Sequence, residues 1–282
     1  MRLQTSASQL LPSLLTNVIG IFEAYHHPSC LDVLATAAEV FAGGGAGQVT
    51  PESGQMQLKD AAASAALQEA LGRVCFAAYT KLQSGAMASF PELLKSLFDM
   101  CHKYICFAPE IILQLPSLPT LIQISTQSIR LRERDPILTT IAFLSTLLAP
   151  GEKALQLPVW QQFRCQVDAC IGQHGEELTR ACLMAVADTC PSQLVSKLGG
   201  VIMSLLQSYP QPAQQWFGKV LMNPQFPGEE LVLTEEDRQR VCAIAMSQPA
   251  LPVRQFQSFI SAFGSVCRRE ANSDVLIGFQ MS

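Results

Sequence analysis

Apolar residues return along this chain at a helical spacing. Leu11, Leu14, Leu15, Val18, Ile21 and Phe22 fall on one stripe of a 3.6-residue helix, and stripes of the same kind recur down the chain, each closed by a Pro, Gly or polar break. They predict helices over about 8–25 and 29–41, parted by His26-His27-Pro28-Ser29, a link short enough to force an antiparallel pair. Helices over about 60–83 and 90–107 follow, the second opening on Ser89-Phe90-Pro91-Glu92 with capping-box spacing. Pro109 opens another, bent near Pro116 and Pro119, and a charged turn over 130–135 leads to a helix from Pro136 to about 149. Trp160, Phe163, Val167 and Ile171 form the next stripe, which Gly172 to Gly175 is expected to end. The last helices are predicted over about 176–189, 191–208, 211–223, 235–247 and 250–268. Thr234 is the expected N-cap ahead of Glu235, Glu236 and Asp237.

Helix starts recur about every 20 residues, so an antiparallel pair takes about 40, the period of HEAT and armadillo repeats. No run of alternating β-branched residues predicts a strand. The expected fold is all-α: a HEAT/armadillo-like α-solenoid of about six antiparallel helix pairs in a right-handed superhelical stack. Within it, 1–42 is the first helix pair, 43–58 a flexible linker around Gly43-Gly44-Gly45-Ala46-Gly47, 59–270 the continuing repeats and 271–282 a loose C-terminal tail.

Composition supports a large apolar core, with 49% hydrophobic and 15% charged residues. A net charge of −4 and only 7% aromatic residues offer neither a basic stripe nor a stacking platform, so no nucleic-acid partner is expected. Apolar stretches are too short or too interrupted to span a bilayer, and the N-terminus lacks the pattern of a signal peptide. None of the ten cysteines forms a C-x-x-C. Cys30, Cys75, Cys101, Cys165, Cys182, Cys242 and Cys267 sit on or beside apolar faces, which reads as buried, reduced thiols in an intracellular protein.

No pattern of catalysis is present: no Gly-x-Ser-x-Gly, His-Glu-x-x-His or Walker sequence. Cys101 and His102 are adjacent, so on a helix they point about 100° apart and cannot pair. His26 and His27 have only Cys30 and Asp32 nearby, too few for a metal site. The chain is therefore expected to be no enzyme, with no catalytic, cofactor or metal residues. The candidates for protein interaction are Arg130, Arg132 and Arg134 in the charged turn, and Trp216 and Phe217, since Trp and Arg are common hot-spot residues. The plainer alternatives are a solvated turn in which Glu133 and Asp135 pair locally, and a Trp-Phe pair packed between repeats.

Several stretches carry a family resemblance. They are Ala24-Tyr25-His26-His27-Pro28-Ser29-Cys30-Leu31; Phe90 to Leu113; Phe163 to Leu221, with Cys170-Ile171-Gly172-Gln173-His174-Gly175, Cys190-Pro191 and Gln215-Trp216-Phe217; and Phe263 to Arg269. In order and spacing they resemble the C-terminal region of transportin-3-like receptors of the importin-β (karyopherin) family, over about residues 8–269. The resemblance implies a nuclear import receptor that shuttles between cytoplasm and nucleus, of which this sequence looks like the C-terminal third. It implies Arg/Ser-rich protein cargo, Ran GTPase and nucleoporins as partners of the full-length receptor, with no cofactor, no direct nucleic-acid contact and no membrane. In that family the Ran-GTP site lies mostly on N-terminal repeats, and the arginine-rich helix that reads phosphorylated cargo lies just upstream of the region aligned. Residues 1–25 hold no counterpart, Arg2 being their only basic residue. The alternative function is a HEAT-repeat scaffold or adaptor with no transport role.

Overall fold

The computed structural model describes residues 2–42, 61–151, 155, 158–228, 233–247 and 250–279. The linker expected over 43–58 lies outside the described residues. Among them every regular element is helical. The chain divides into two compact units, Met1–Leu121 with Pro150–Asp168, and Ile122–Ala149 with Ala169–Ser282.

The first unit contains α1 (Arg2–Tyr25), α2 (Ser29–Ala37, continued as a π-turn over Ala38–Ala42), α3 (Ala61–Gln83), α4 (Pro91–Phe107) and α5 (Pro109–Leu113). α1 packs on α3 and α2 on α4. α1 buries Leu11, Leu15, Val18, Ile19 and Phe22, whereas Leu14 and Ile21 of the predicted stripe are exposed. The apolar arc of α1 is wider than one neighbour can cover, and α3 takes only part of it. His26 ends α1 in the left-handed region, at φ 54°. Its N–H donates to the Phe22 carbonyl at 2.7 Å, closing the last turn.

α3 and α4 supply much of the core here: Leu67, Leu71 and Val74 of α3 and Leu94, Leu97, Phe98 and Cys101 of α4 are all fully buried. Tyr104 is fully buried among them, and its hydroxyl donates to the Leu67 carbonyl at 3.3 Å. Burial pushes that phenol well above the ordinary tyrosine range. Ser89 does not cap α4: Phe90 occupies the N-cap with no side-chain bond, and Pro91 is the first helical residue. Pro91 sets the start, because its fixed φ and missing N–H suit the first helical position. That leaves Ser89 one residue too early to cap, in a 3₁₀ turn over Met87–Ser89.

α6 (Leu118–Ser128) and α8 (Pro158–Met184, continued as a π-turn over Ala185–Thr189) contribute residues to both units. The second unit adds α7 (Arg134–Leu148), α9 (Ser192–Ser208), α10 (Pro210–Leu221), α11 (Glu235–Ala245), α12 (Val253–Cys267) and a 3₁₀ segment over Ser273–Phe279. α9 is its centre, with α7, α10 and α12 all packed on it. Accordingly α9 is buried on several sides, through Leu194, Leu198, Val201, Ile202 and Leu205. Gly199 lets α12 approach closely: a Cβ there would lie 3.1 Å from the Ile260 Cβ. Between α6 and α7 the hydroxyls of Ser128 and Thr140 share a buried hydrogen bond of 2.8 Å.

Two expectations change in this unit. Gly172 and Gly175 do not end a helix; α8 runs through both, and the chain leaves it only at Cys190, whose extended backbone is what a following proline favours. The C-terminal stretch is ordered over 273–279, where Leu276 is fully buried and Phe279 meets Phe259 of α12 edge to face at 5.7 Å. Two apolar anchors, not composition, hold it. Thr234 caps α11 as expected: its hydroxyl accepts from Asp237 N–H at 3.1 Å, and the Asp237 carboxylate accepts from Thr234 N–H at 3.1 Å.

Candidate protein-interaction surface

α8 and α10 meet at Gly175 and Trp216. A Cβ on Gly175 would stand 2.3 Å from the Cη2 and Cζ3 atoms of the indole, so the bare backbone is what seats the ring. One residue on from Gly175 and three on from Trp216, Lys219 Nζ reaches Glu176 at 2.6 Å, and Arg180 lies 3.5 Å from the same carboxylate. The Lys219 hydrogen bond, helped by Arg180, holds the Glu176 carboxyl below its ordinary range. Trp216 is half-buried and keeps an exposed part. Phe217 is fully buried, which corrects its place among the surface candidates: at the next helical position it points into the core beside Val220 and Leu221.

The three arginines share the turn between α6 and α7. Arg132 is 77% exposed and stands 3.8 Å from Asp188 on the π-turn, while Arg134, the first residue of α7, is 3.4 Å from Asp135. Arg132 N–H donates to the Glu133 carboxylate at 3.2 Å. Ion pairs this exposed contribute little to stability, and the guanidinium groups are presented to solvent. The arginine turn and the Trp216 contact are separate features of the second unit.

Two arginines that turn inward, Arg238 buried and Arg268 half-buried, escaped the sequence analysis. Arg238, 4% exposed, donates to the carbonyls of Leu221 (3.3 Å), Pro224 (3.0 Å), Phe226 (2.9 Å), Leu233 (3.4 Å) and Asn223. One guanidinium thus ties together five carbonyls of the described part of the α10 to α11 connection. Arg268 does the same for the end of α8, donating to Ala185, Val186 and Cys190 carbonyls at 3.4, 3.0 and 2.6 Å. A cation there also suits the negative end of the helix dipole. The available signal was a basic residue at an inward position, three before the buried Val241, but sequence shows no acceptor for it.

Between α9, α10, α11 and α12 lies a cavity of about 220 Å³, lined by Met203, Leu206, Leu251 and Phe256 with Gln207 and Gln214 as polar groups. Its walls come from four helices, so no local pattern announces it. No described helix is long and apolar enough to cross a membrane.

Residues 129–213 match the family model described as Importin 13 repeat. That segment runs from the end of α6 through α7, α8 and α9 into α10, so it includes the arginine turn and stops short of Trp216. A solved structure described as "Importin13 cytosolic state" superposes with a TM-score of 0.74 over 93% of this chain, at 17% sequence identity. The fold is an importin HEAT-repeat solenoid. The chain spans 27% of the length of that importin-13 chain. No curated protein matches the chain by sequence.

Proposed function

We propose that this chain is the C-terminal segment of a nuclear import receptor of the importin-β family, close to transportin-3 in type. The importin part of the reading is supported by two comparisons, a family model matched at 129–213 and a superposition over 93% of the chain, both with importin-13. The transportin-3 type and the C-terminal placement rest on the resemblance carried by Ala24 to Leu31, Phe90 to Leu113 and Phe163 to Leu221. In this reading the helix pairs bind protein cargo non-covalently and release it when Ran-GTP engages the receptor. Shuttling between cytoplasm and nucleus through nucleoporin contacts belongs to the same reading.

The exposed turn with Arg130, Arg132 and Arg134 is the proposed electrostatic contact, and the exposed part of Trp216 the proposed apolar one. A phosphorylated Arg/Ser-rich segment carries the negative charge that guanidinium forks pair with bidentately. The test is a pull-down of the longer protein with Ran loaded with GTP or GDP, and with phosphorylated and unphosphorylated Arg/Ser-rich peptide. Binding of Ran-GTP but not Ran-GDP, together with peptide capture weakened by Arg130→Ala/Arg132→Ala/Arg134→Ala, is expected. Binding of neither ligand would overturn the receptor reading in favour of a scaffold.

A further inference from the structure

α1 has two apolar sides, and its own chain covers one of them. Leu11, Leu15, Val18, Ile19 and Phe22 are buried, while Leu10, Leu14, Ile21 and Tyr25 stay exposed. The other large apolar residues left in solvent among the described ones come one or two to an element. Along the bare side of α1, Leu10, Leu14, Asn17, Ile21 and Ala24 follow one another at alternating steps of four and three residues, all of them exposed. That spacing keeps a row of side chains turned toward one neighbouring helix, here with a single amide among apolar positions.

Covering this side leaves little stranded. Glu23 is the one charged residue between Leu10 and Tyr25, and Arg73 holds it at 2.6 Å. The exposed hydroxyls beside the row donate to carbonyls of their own helix, Ser13 to Leu10 at 3.0 Å and Thr16 to Pro12 at 2.8 Å. Burial there removes no free charge and no unpaired hydroxyl donor from water. With no free charge to offer, the row rewards an uncharged apolar helix face of the same spacing. Among the described residues α1 is itself that surface, as a twofold contact requires. The four exposed side chains present on the order of 500 Å² per copy, so two copies would cover about 1,000 Å², the lower edge of specific interfaces.

We propose that two copies of this chain associate through α1, antiparallel and face to face, as a weak twofold dimer. With the axis between Leu15 and Thr16, Leu10 of each copy meets Ile21 of the other, and Leu14 meets Asn17. The two Asn17 amides then lie about 2 Å to either side of the axis along the helix, within reach of each other. A buried amide pair of this kind sets the register at some cost in affinity. Antiparallel helices also oppose their dipoles favourably.

The test is sedimentation equilibrium of the reduced full chain from about 1 to 300 µM, the range in which a small interface dissociates. A single monomer–dimer equilibrium is expected. Asn17→Leu should tighten it about tenfold and Asn17→Asp weaken it about tenfold or more, with unchanged helical circular dichroism, because position 17 is exposed in the monomer. Val253→Gln, an exposed apolar position on α12, should leave it as it was. A monomer at every concentration would overturn the dimer and leave the face to another occupant, such as a further helix pair. Growth into larger species with no dimer stage would overturn it as a merely adhesive face. Equal association constants in the two Asn17 variants would place the contact elsewhere and overturn it too.

Discussion

The indole of Trp216 rests on Gly175, with no room between them for a methyl group: a Cβ at 175 would meet the ring at 2.3 Å. Gly172, three residues earlier on the same helix, has nothing within 4 Å of its Cβ direction. The two glycines should therefore answer oppositely to alanine. Gly172→Ala is expected to stabilise by about 0.5–1 kcal/mol through helix propensity. Gly175→Ala should destabilise by about 1–3 kcal/mol despite the same propensity gain, because the ring is pushed off its seat. Chemical denaturation of both variants decides it, and equal effects would mean that the ring moves freely.

Leu205 tests α9 as the centre of its unit. It is 1% exposed, on a helix contacted by α7, α10 and α12. Leu205→Ala is expected to lose about 2–5 kcal/mol. A loss below about 0.5 kcal/mol in the same measurement would put the residue outside the core.

The partners of Arg238 among the described residues are five carbonyls between Leu221 and Leu233. Removing it takes the shared donor from five carbonyls and leaves a gap at a buried position. Arg238→Met should therefore destabilise by about 3 kcal/mol or more. Arg238→Lys should recover little, since one ammonium cannot reproduce a planar fork. Full rescue by lysine would show that charge alone matters there.

α1 presents a second apolar stripe to solvent. Leu10, Leu14, Ile21 and Tyr25 are 67%, 49%, 51% and 78% exposed, and at 100° per residue they fall within about 60° of arc. A face of that kind drives association. The chain is expected to self-associate at high concentration. Leu10→Gln/Leu14→Gln/Ile21→Gln should restore a monomer by light scattering with little change in melting temperature, because none of the three is core. A wild-type chain that is monomeric throughout would contradict this.

Alkali should weaken the second unit. Burial pushes the Cys190 thiol up to about 11 and the Cys267 thiol up to about 12, each against a partial opposite pull from Arg268. Unfolded thiols ionise near 9, so above that pH the unfolded chain binds fewer protons than the folded one and stability falls as pH rises. The contribution is whole below pH 9 and is lost toward 11–12, at on the order of 1 kcal/mol per pH unit per thiol. Thermal melts should be flat from pH 7 to 8.5 and decline beyond; a flat profile to pH 11 would contradict the burial of both groups.

Local physics was legible in the residue order. The 3.6-residue stripes, the prolines at helix starts and the Thr234 cap are short-range properties, and they led to the all-α repeat class and most helix positions. The errors fell where a local signal had two meanings. Gly172 and Gly175 read as a helix stop because glycine lacks helix propensity, yet one is a passive position and the other a seat for Trp216. Ser89 read as a cap until Pro91 took the first helical position. Cys101-His102 drew attention as neighbours, while the pair that meets is His102 and Cys106, one turn apart.

The chain by itself therefore determined that it would be a stack of helices, roughly where each would start, and that Arg130, Arg132 and Arg134 would gather in one turn, because each of these depends on residues within a few positions of one another. Only the tertiary structure decided that Phe217 is core while Trp216 keeps an exposed part, that Arg238 and Arg268 turn inward, and that α1 keeps a bare apolar stripe. Those outcomes depend on which backbone or side chain arrives from tens of residues away, and the space and acceptors it brings have no counterpart in local sequence.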